Sequence, residues 1–297
     1  MTTPPDFGRF SEVATEFDEA SKAVWLRMHS RPVQCYSPTL LAQLGQITAR
    51  VLARPGEVRY LVLASATPGV FNFGGDLALF SLLSKARDRA ALVAYGRQCL
   101  ERVFFLVEAP KHGLVTVALI QGDALGGGLE SALAAQVVVA ERGSPIGFPE
   151  VLFNLFPGMG AWPLATRRAG RKVAADMITS GKVYAAEELF ARGLVDILAE
   201  RGEGEDKVRE YLQKNSGRAQ GVAAAYAAEL DAMPMDRAQF DQVVERWADA
   251  ALQIGDRDRR LMQRLVREQL KKSGGFSPTG AVEAIRLELG QGAAMAA

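Results

Sequence analysis

The sequence predicts an α/β protein with a helical C-terminal region. Three observations carry that reading. Short apolar runs of strand length alternate with segments of helical periodicity over the first two thirds of the chain. From Glu205 onward the pattern is helical, with many charges and few strand signals. Two glycine clusters sit where strands should give way to helices. The expected division is an α/β core over residues 1–205 and a helical region over residues 206–297, the stretch from Gln291 to Ala297 being frayed.

Taken in order, residues 1–20 are polar and mixed and read as an extended lead-in. The run from Ala23 to Met28 reads as a strand. From Pro38 to Ala53, Leu40, Leu41, Leu44, Ile47, Val51 and Leu52 recur at helical spacing, and Pro38 suits a first turn. Val58 to Leu63 is a buried strand, broken by Ala66-Thr-Pro-Gly69. Asp76 to Lys85 and Ala90 to Val107 read as helices, Leu114 to Ile120 and Gln136 to Ala140 as strands. A helix near Ala185 to Ala191 precedes a further strand, Gly193 to Leu198. Residues 236–272 alternate apolar and charged positions at helical spacing.

Composition excludes several classes of function. Among 297 residues, 35 Lys and Arg face 34 Asp and Glu, a net charge of +1, so no basic excess suggests nucleic acid. Apolar residues make up 48% and charged residues 23%, as in a soluble globular protein, and no apolar run is long enough to span a bilayer. The first residues lack the basic-then-apolar pattern of a signal peptide, so a cytoplasmic location is expected. Cys35 and Cys99 share no metal spacing and read as buried, idle thiols. His29 and His112 are the only histidines, too few for a histidine-rich metal site; each reads as a surface or capping residue. No metal is expected, and proton chemistry falls to carboxylates.

The first glycine cluster is Val70-Phe-Asn-Phe-Gly-Gly-Asp-Leu77; the second is Gln121-Gly-Asp-Ala-Leu-Gly-Gly-Gly-Leu-Glu130. Either alone is compatible with a tight turn packed with glycines. Neither matches a P-loop or a Gly-x-Gly-x-x-Gly fingerprint. Together they could each present one backbone N–H to the same oxygen. Asp76 reads as the cap of the next helix and Asp123 as a turn residue. Glu130 falls on the first turn of the helix after Gly126–Gly128, where the helix dipole alone would favour an acid. Glu150 follows a proline in Ile146-Gly-Phe-Pro-Glu-Val-Leu-Phe153. Both acids stand in apolar company, which raises a carboxyl pKa, and the strand between them could bring them together.

These phrases, with Pro149-Glu-Val-Leu-Phe-Asn-Leu-Phe-Pro-Gly-Met-Gly160, resemble the crotonase (enoyl-CoA hydratase/isomerase) superfamily from Val58 to the C-terminal helices. Within it, Gly74-Gly-Asp-Leu-Ala-Leu-Phe80, Leu155-Phe-Pro-Gly-Met-Gly-Ala161, Cys35-Tyr-Ser37 and Met262-Gln-Arg-Leu-Val-Arg267 look most like the diffusible-signal-factor synthases, which make cis-2-unsaturated fatty acid signals. The Asn-Ala-Leu stretch usual in hydratases near Cys35 is missing. The resemblance implies a right-handed coil of ββα units whose helical C-terminal region builds trimers, often paired into hexamers. It places Gly75 and Gly127 in the oxyanion hole and makes Glu130 and Glu150 the acid/base pair.

The activity so implied is dehydration of a 3-hydroxyacyl thioester and hydrolysis of that thioester to a free acid. The alternative is a conventional enoyl-CoA hydratase or isomerase. No cofactor is expected, the substrate arriving as a thioester of acyl carrier protein or coenzyme A. An acyl chain needs an apolar tunnel, for which Leu125, Leu129, Phe148, Leu152, Phe153, Met159 and Trp162 are the candidates. The basic residues Arg257, Arg259, Arg260, Lys271 and Lys272 read as a solvated face, or as a docking surface for an acidic carrier protein.

Overall fold

A computed structural model describes residues 5–274. The chain opens with β1 (Val13–Asp18) and β2 (Ala23–Met28), an antiparallel pair in which Val13 faces Met28. Helix α1 (Pro38–Leu52) follows, capped by the Ser37 side chain. The chain then repeats one theme three times: a long strand, a short strand, then helix. The first round is β3 (Tyr60–Ser65), β4 (Val70–Asn72), α2 (Leu77–Ala86) and α3 (Arg89–Glu108). The second is β5 (Val115–Ile120), β6 (Asp123–Leu125) and α4 (Gly127–Ala134). The third is β7 (Val137–Glu141), β8 (Pro145–Gly147), a 3-10 turn over Pro149–Phe153 and α5 (Ala161–Ser180). Then come β9 (Val183–Ala185), α6 (Ala186–Ala191), β10 (Ile197–Ala199), α7 (Gly204–Asn215), α8 (Ala219–Ala232), α9 (Arg237–Leu252) and α10 (Asp256–Lys272).

The long strands, with the three-residue β10 at one edge, form a six-stranded sheet in the order β1-β2-β3-β5-β7-β10, parallel apart from the first pair. The short strands form a second sheet, β4-β6-β8-β9. This is the coil of ββα units. Strand β5 shows why its sequence is almost wholly apolar: both faces are covered. Val115, Val117 and Leu119 pack with Val208 and Leu212 of α7 and Ala219 and Ala223 of α8. Ala118 and Ile120 point the other way into the larger cluster. The C-terminal helices share that cluster. Phe240, Val244 and Trp247 of α9 belong to it, and the Phe240 ring meets Phe104 of α3 edge-on at 4.7 Å.

The sequence-based expectations differ from the structure in four places. Part of the supposed lead-in is the edge strand β1, whose exposed positions alternate with Val13; an edge strand needs little apolar surface. The strand expected over Gly193–Leu198 is only Ile197–Ala199, because Gly193 turns the chain at φ 80°. Helix α5 shows no continuous helical periodicity because Gly170, at φ 79° and ψ 161°, breaks it into two arms. Three residues are too few to show a period, so β4, β6, β8 and β9 leave no signal. The expected fraying of Gln291–Ala297 lies outside the described residues. Cys35 and Cys99 are both buried.

Candidate active site

The two glycine clusters become two adjacent turns because β4 and β6 run side by side in parallel. After β4, the buried Asn72 side chain accepts a hydrogen bond from Gly74 N–H at 2.7 Å and fixes the first turn. Asp76 caps α2, its carboxylate accepting from Leu79 N–H at 2.9 Å. After β6, Gly126 at φ 53° swings the chain into α4. The turns approach so closely that a Cβ on Gly74 would stand 2.6 Å from Gly127 N and 2.8 Å from Leu125 O. Gly127 opens α4, so its amide lies beyond the reach of the helix's own acceptors. Among the described residues the Gly75 amide also has no acceptor. Both glycines line the same cavity.

Two tyrosines brace these turns. Tyr95 of α3 donates from its hydroxyl to the Tyr36 carbonyl at 2.6 Å and accepts from Asp76 N–H at 3.1 Å. Tyr36 N–H donates to Gly74 O at 2.8 Å, and its hydroxyl donates to Ser131 on α4. Ser131 in turn donates to Gly128 O at 2.9 Å. Burial pushes both phenol pKa values up, so both hydroxyls stay protonated. Tyr95→Phe leaves the part-buried Asp76 N–H without its partner, at a cost of about 1 kcal/mol. The expected result is a drop in kcat of roughly tenfold with little change in KM, about 1.4 kcal/mol in the barrier. Steady-state kinetics check it; wild-type kcat would contradict the bracing role.

Glu130, on the first turn of α4, is buried. Its Oε1 accepts from Met159 N–H at 2.8 Å and Ala161 N–H at 2.9 Å, at the start of α5. Burial raises its pKa to about 7, and those amides hold it below what burial alone would give. Glu150 stands opposite, on the 3-10 turn after β8. Its Oε1 is packed against Gly126, where a Cβ would come within 2.3 Å. Its Oε2 is buried with no partner. Burial, then the neighbouring Glu130 charge, lifts its pKa to about 8. The pair therefore holds about one proton near neutral pH, and the negative charge is better placed on Glu130.

Both carboxylates open on an apolar cleft of about 740 Å³. Of the residues expected to line it, Leu125, Phe153 and Met159 do so. Leu129 and Phe148 are buried in the core instead. Leu152 and Trp162 lie on the surface, 58% and 37% exposed. The 3-10 turn directs Phe153 inward and Leu152 outward, while α5 buries Ala161, Leu164 and Ala165 and leaves Trp162 outside. The missed lining comes from Phe80, Tyr95 and Cys99, and from Trp247 on α9 and Leu265 and Gln269 on α10. The stripe Phe240, Val244, Trp247 and Ala251 signalled a buried face on α9, but not what that face covers.

Asp123 is a strand residue rather than a turn residue. It is buried and pairs with Lys272 Nζ at 2.7 Å, while Lys272 itself stays exposed to solvent. His29 lies beside the Arg27 carbonyl, and His112 is exposed. Among the described residues no group of three or more His, Cys, Asp or Glu could hold a metal ion, and no helix is long and apolar enough to cross a membrane.

Residues 21–249 match the family model for enoyl-CoA hydratase/isomerase. A probable mitochondrial enoyl-CoA hydratase 2 of Arabidopsis thaliana is 30% identical over 215 residues, covering 72% of this chain and 67% of its own. A probable enoyl-CoA hydratase of Bacillus subtilis is 30% identical over 202 residues, covering 68% and 71%. Among solved structures, Pseudomonas aeruginosa DspI superposes with a TM-score of 0.69 at 23% identity, over 83% of this chain and 98% of that one. An enoyl-CoA hydratase/isomerase from Xanthobacter autotrophicus gives 0.73 at 17% identity, over 89% and 96%. Both share the fold.

Proposed function

The chain belongs to the enoyl-CoA hydratase/isomerase family, the crotonase superfamily, and on that premise we propose that it dehydrates a 3-hydroxyacyl thioester and then hydrolyses the thioester, releasing a cis-2-unsaturated fatty acid. The observation that carries this reading is the unpartnered, buried Oε2 of Glu150 in the same cleft as the amide-held Glu130 and the Gly75 and Gly127 amides. A thioester carbonyl seated on those amides would have its enolate oxygen stabilised, which makes the α-proton acidic; each such donor contributes about 3–4 kcal/mol. One carboxylate of the pair takes the α-proton. Its neutral partner protonates the departing β-hydroxyl, which leaves as water.

Hydrolysis reuses the same parts. A carboxylate deprotonates water, the water attacks the thioester carbonyl, and the tetrahedral oxyanion rests on the same two amides. The thiol then leaves with a proton from the pair. The sequence phrases shared with the signal-synthase subgroup support this second step. Acyl carrier protein is the proposed carrier, since the chain lacks the hydratase stretch near Cys35. A homotrimer, or a hexamer of two trimers, is the assembly the family resemblance implies.

A second reading, hydration of an enoyl-CoA, is favoured by the names of the curated relatives. Products separate the two. Purified protein given 3-hydroxydodecanoyl carrier protein is expected to release free dodecenoic acid, read by mass spectrometry. Interconversion of hydroxyacyl and enoyl thioesters without free acid would overturn the synthase reading and leave the hydratase.

A further inference from the structure

Helix α10 has two faces of opposite character. Its inner face buries Met262 and walls the active-site cleft with Leu265 and Gln269. Val266 and Leu270 wall a second cavity of about 480 Å³, and Leu77 and Gln269 line both, so the two cavities adjoin. Its outer face carries Arg257, Arg260, Arg264, Arg267 and Lys271, all exposed. Spacings of three and four residues put these cations in one stripe.

The stripe is held at both ends, and among the described residues only its last cation, Lys271, has an ion-pair partner, Glu268. Asp258 accepts from Asn154 at 2.8 Å near the start of α10, and Lys272 pairs with Asp123 at its end. The ion pairs of α10 among the described residues engage Arg259, Lys271 and Lys272, and none of the four stripe arginines. In a chain of net charge +1 this is a local concentration of charge. We propose that this face docks an acidic carrier protein, whose thioester-bearing arm reaches the cleft by way of the adjoining cavity. The inference rests on the thioester reading above and names the surface that selects the carrier.

The geometry favours a protein over the alternatives. At 1.5 Å per residue the stripe runs about 21 Å, longer than one nucleotide headgroup but suited to an acidic helix. A membrane is disfavoured because the apolar side chains of α10 face inward and none stands on the stripe to enter a bilayer.

The test is the triple variant R260E/R264E/R267E in the full chain. On a 3-hydroxyacyl carrier protein its KM should rise about tenfold or more and lose its salt dependence. On the N-acetylcysteamine thioester, kcat/KM should match wild type. Unchanged KM on the carrier substrate would overturn the docking face. So would an equal loss on the coenzyme A ester, which marks a nucleotide site, or charge-dependent pelleting with phosphatidylglycerol vesicles while carrier KM stays put. Fluorescence anisotropy with acyl-free carrier protein separates this inference from the reaction assignment. Binding by wild type that the variant loses upholds the face even where no acid is released, and absence of wild-type binding overturns it.

Discussion

Glu150→Gln is expected to lower kcat by about 10²–10⁴-fold and, in the same protein, to raise stability at alkaline pH. Both effects come from one buried carboxyl. The side chain is isosteric with glutamine, and its Oε2 has no partner to lose, so the fold should survive. The folded carboxyl holds its proton to about pH 8, against an ordinary value of 4.5. Between those values the folded chain binds more protons than the unfolded one, so wild-type stability falls as pH rises through that window and levels off above it. The amide that replaces the carboxyl does not titrate there, so the Tm advantage of the variant should grow with pH. Glu130→Gln should lose kcat to a similar degree, while its amide oxygen can keep the Met159 and Ala161 N–H bonds. Thermal melts at several pH values and steady-state rates check both. Full activity in the two variants would refute the acid/base assignment.

Gly74→Ala should cost about 10²–10³-fold in kcat with the fold retained. Gly74 sits at φ +88°, a conformation that costs an L-residue about 1–2 kcal/mol. The larger problem is contact: the new methyl would meet Gly127 N and Leu125 O at 2.6 and 2.8 Å. Both are backbone atoms of the opposite turn, so no side chain can move aside. The turns must separate, and a carbonyl oxygen can then no longer meet both amides. Gly113→Ala is the control. It carries the same kind of backbone penalty at φ +74° with no atom within 4 Å of its new methyl, so it should lose stability and keep kcat. Equal rates for Gly74→Ala and wild type would remove the paired amides from the mechanism.

The parts of this molecule that were legible in sequence are those where one local rule dominates. Strand β2 stands where its short apolar run puts it, and helix α1 where its helical spacing puts it, because the run is buried almost throughout and the helix is long enough to show its period. Glu130 and Glu150 were visible as acids in apolar surroundings beside glycine turns. What places them in one cleft was not. That depends on four three-residue strands, too short for any pattern, which lay the two turns side by side. The cavity lining was legible only in part for a related reason. Adjacent residues such as Leu152 and Phe153 are equally apolar, and only the 3-10 turn decides which points inward. The contribution of α9 and α10 arises from packing between distant segments, as in the Phe80–Trp247 contact at 4.8 Å.

A crystal structure with a turnover-resistant 3-hydroxyacyl thioester analogue bound would show whether paired amides and paired carboxylates act on one substrate. The carbonyl oxygen should lie about 2.7–3.1 Å from the amide nitrogens of both Gly75 and Gly127. The α-carbon and β-hydroxyl should then stand between Glu130 and Glu150. A carbonyl bound away from either amide, or an acyl chain outside the cleft that Phe153, Met159 and Trp247 enclose, would contradict it.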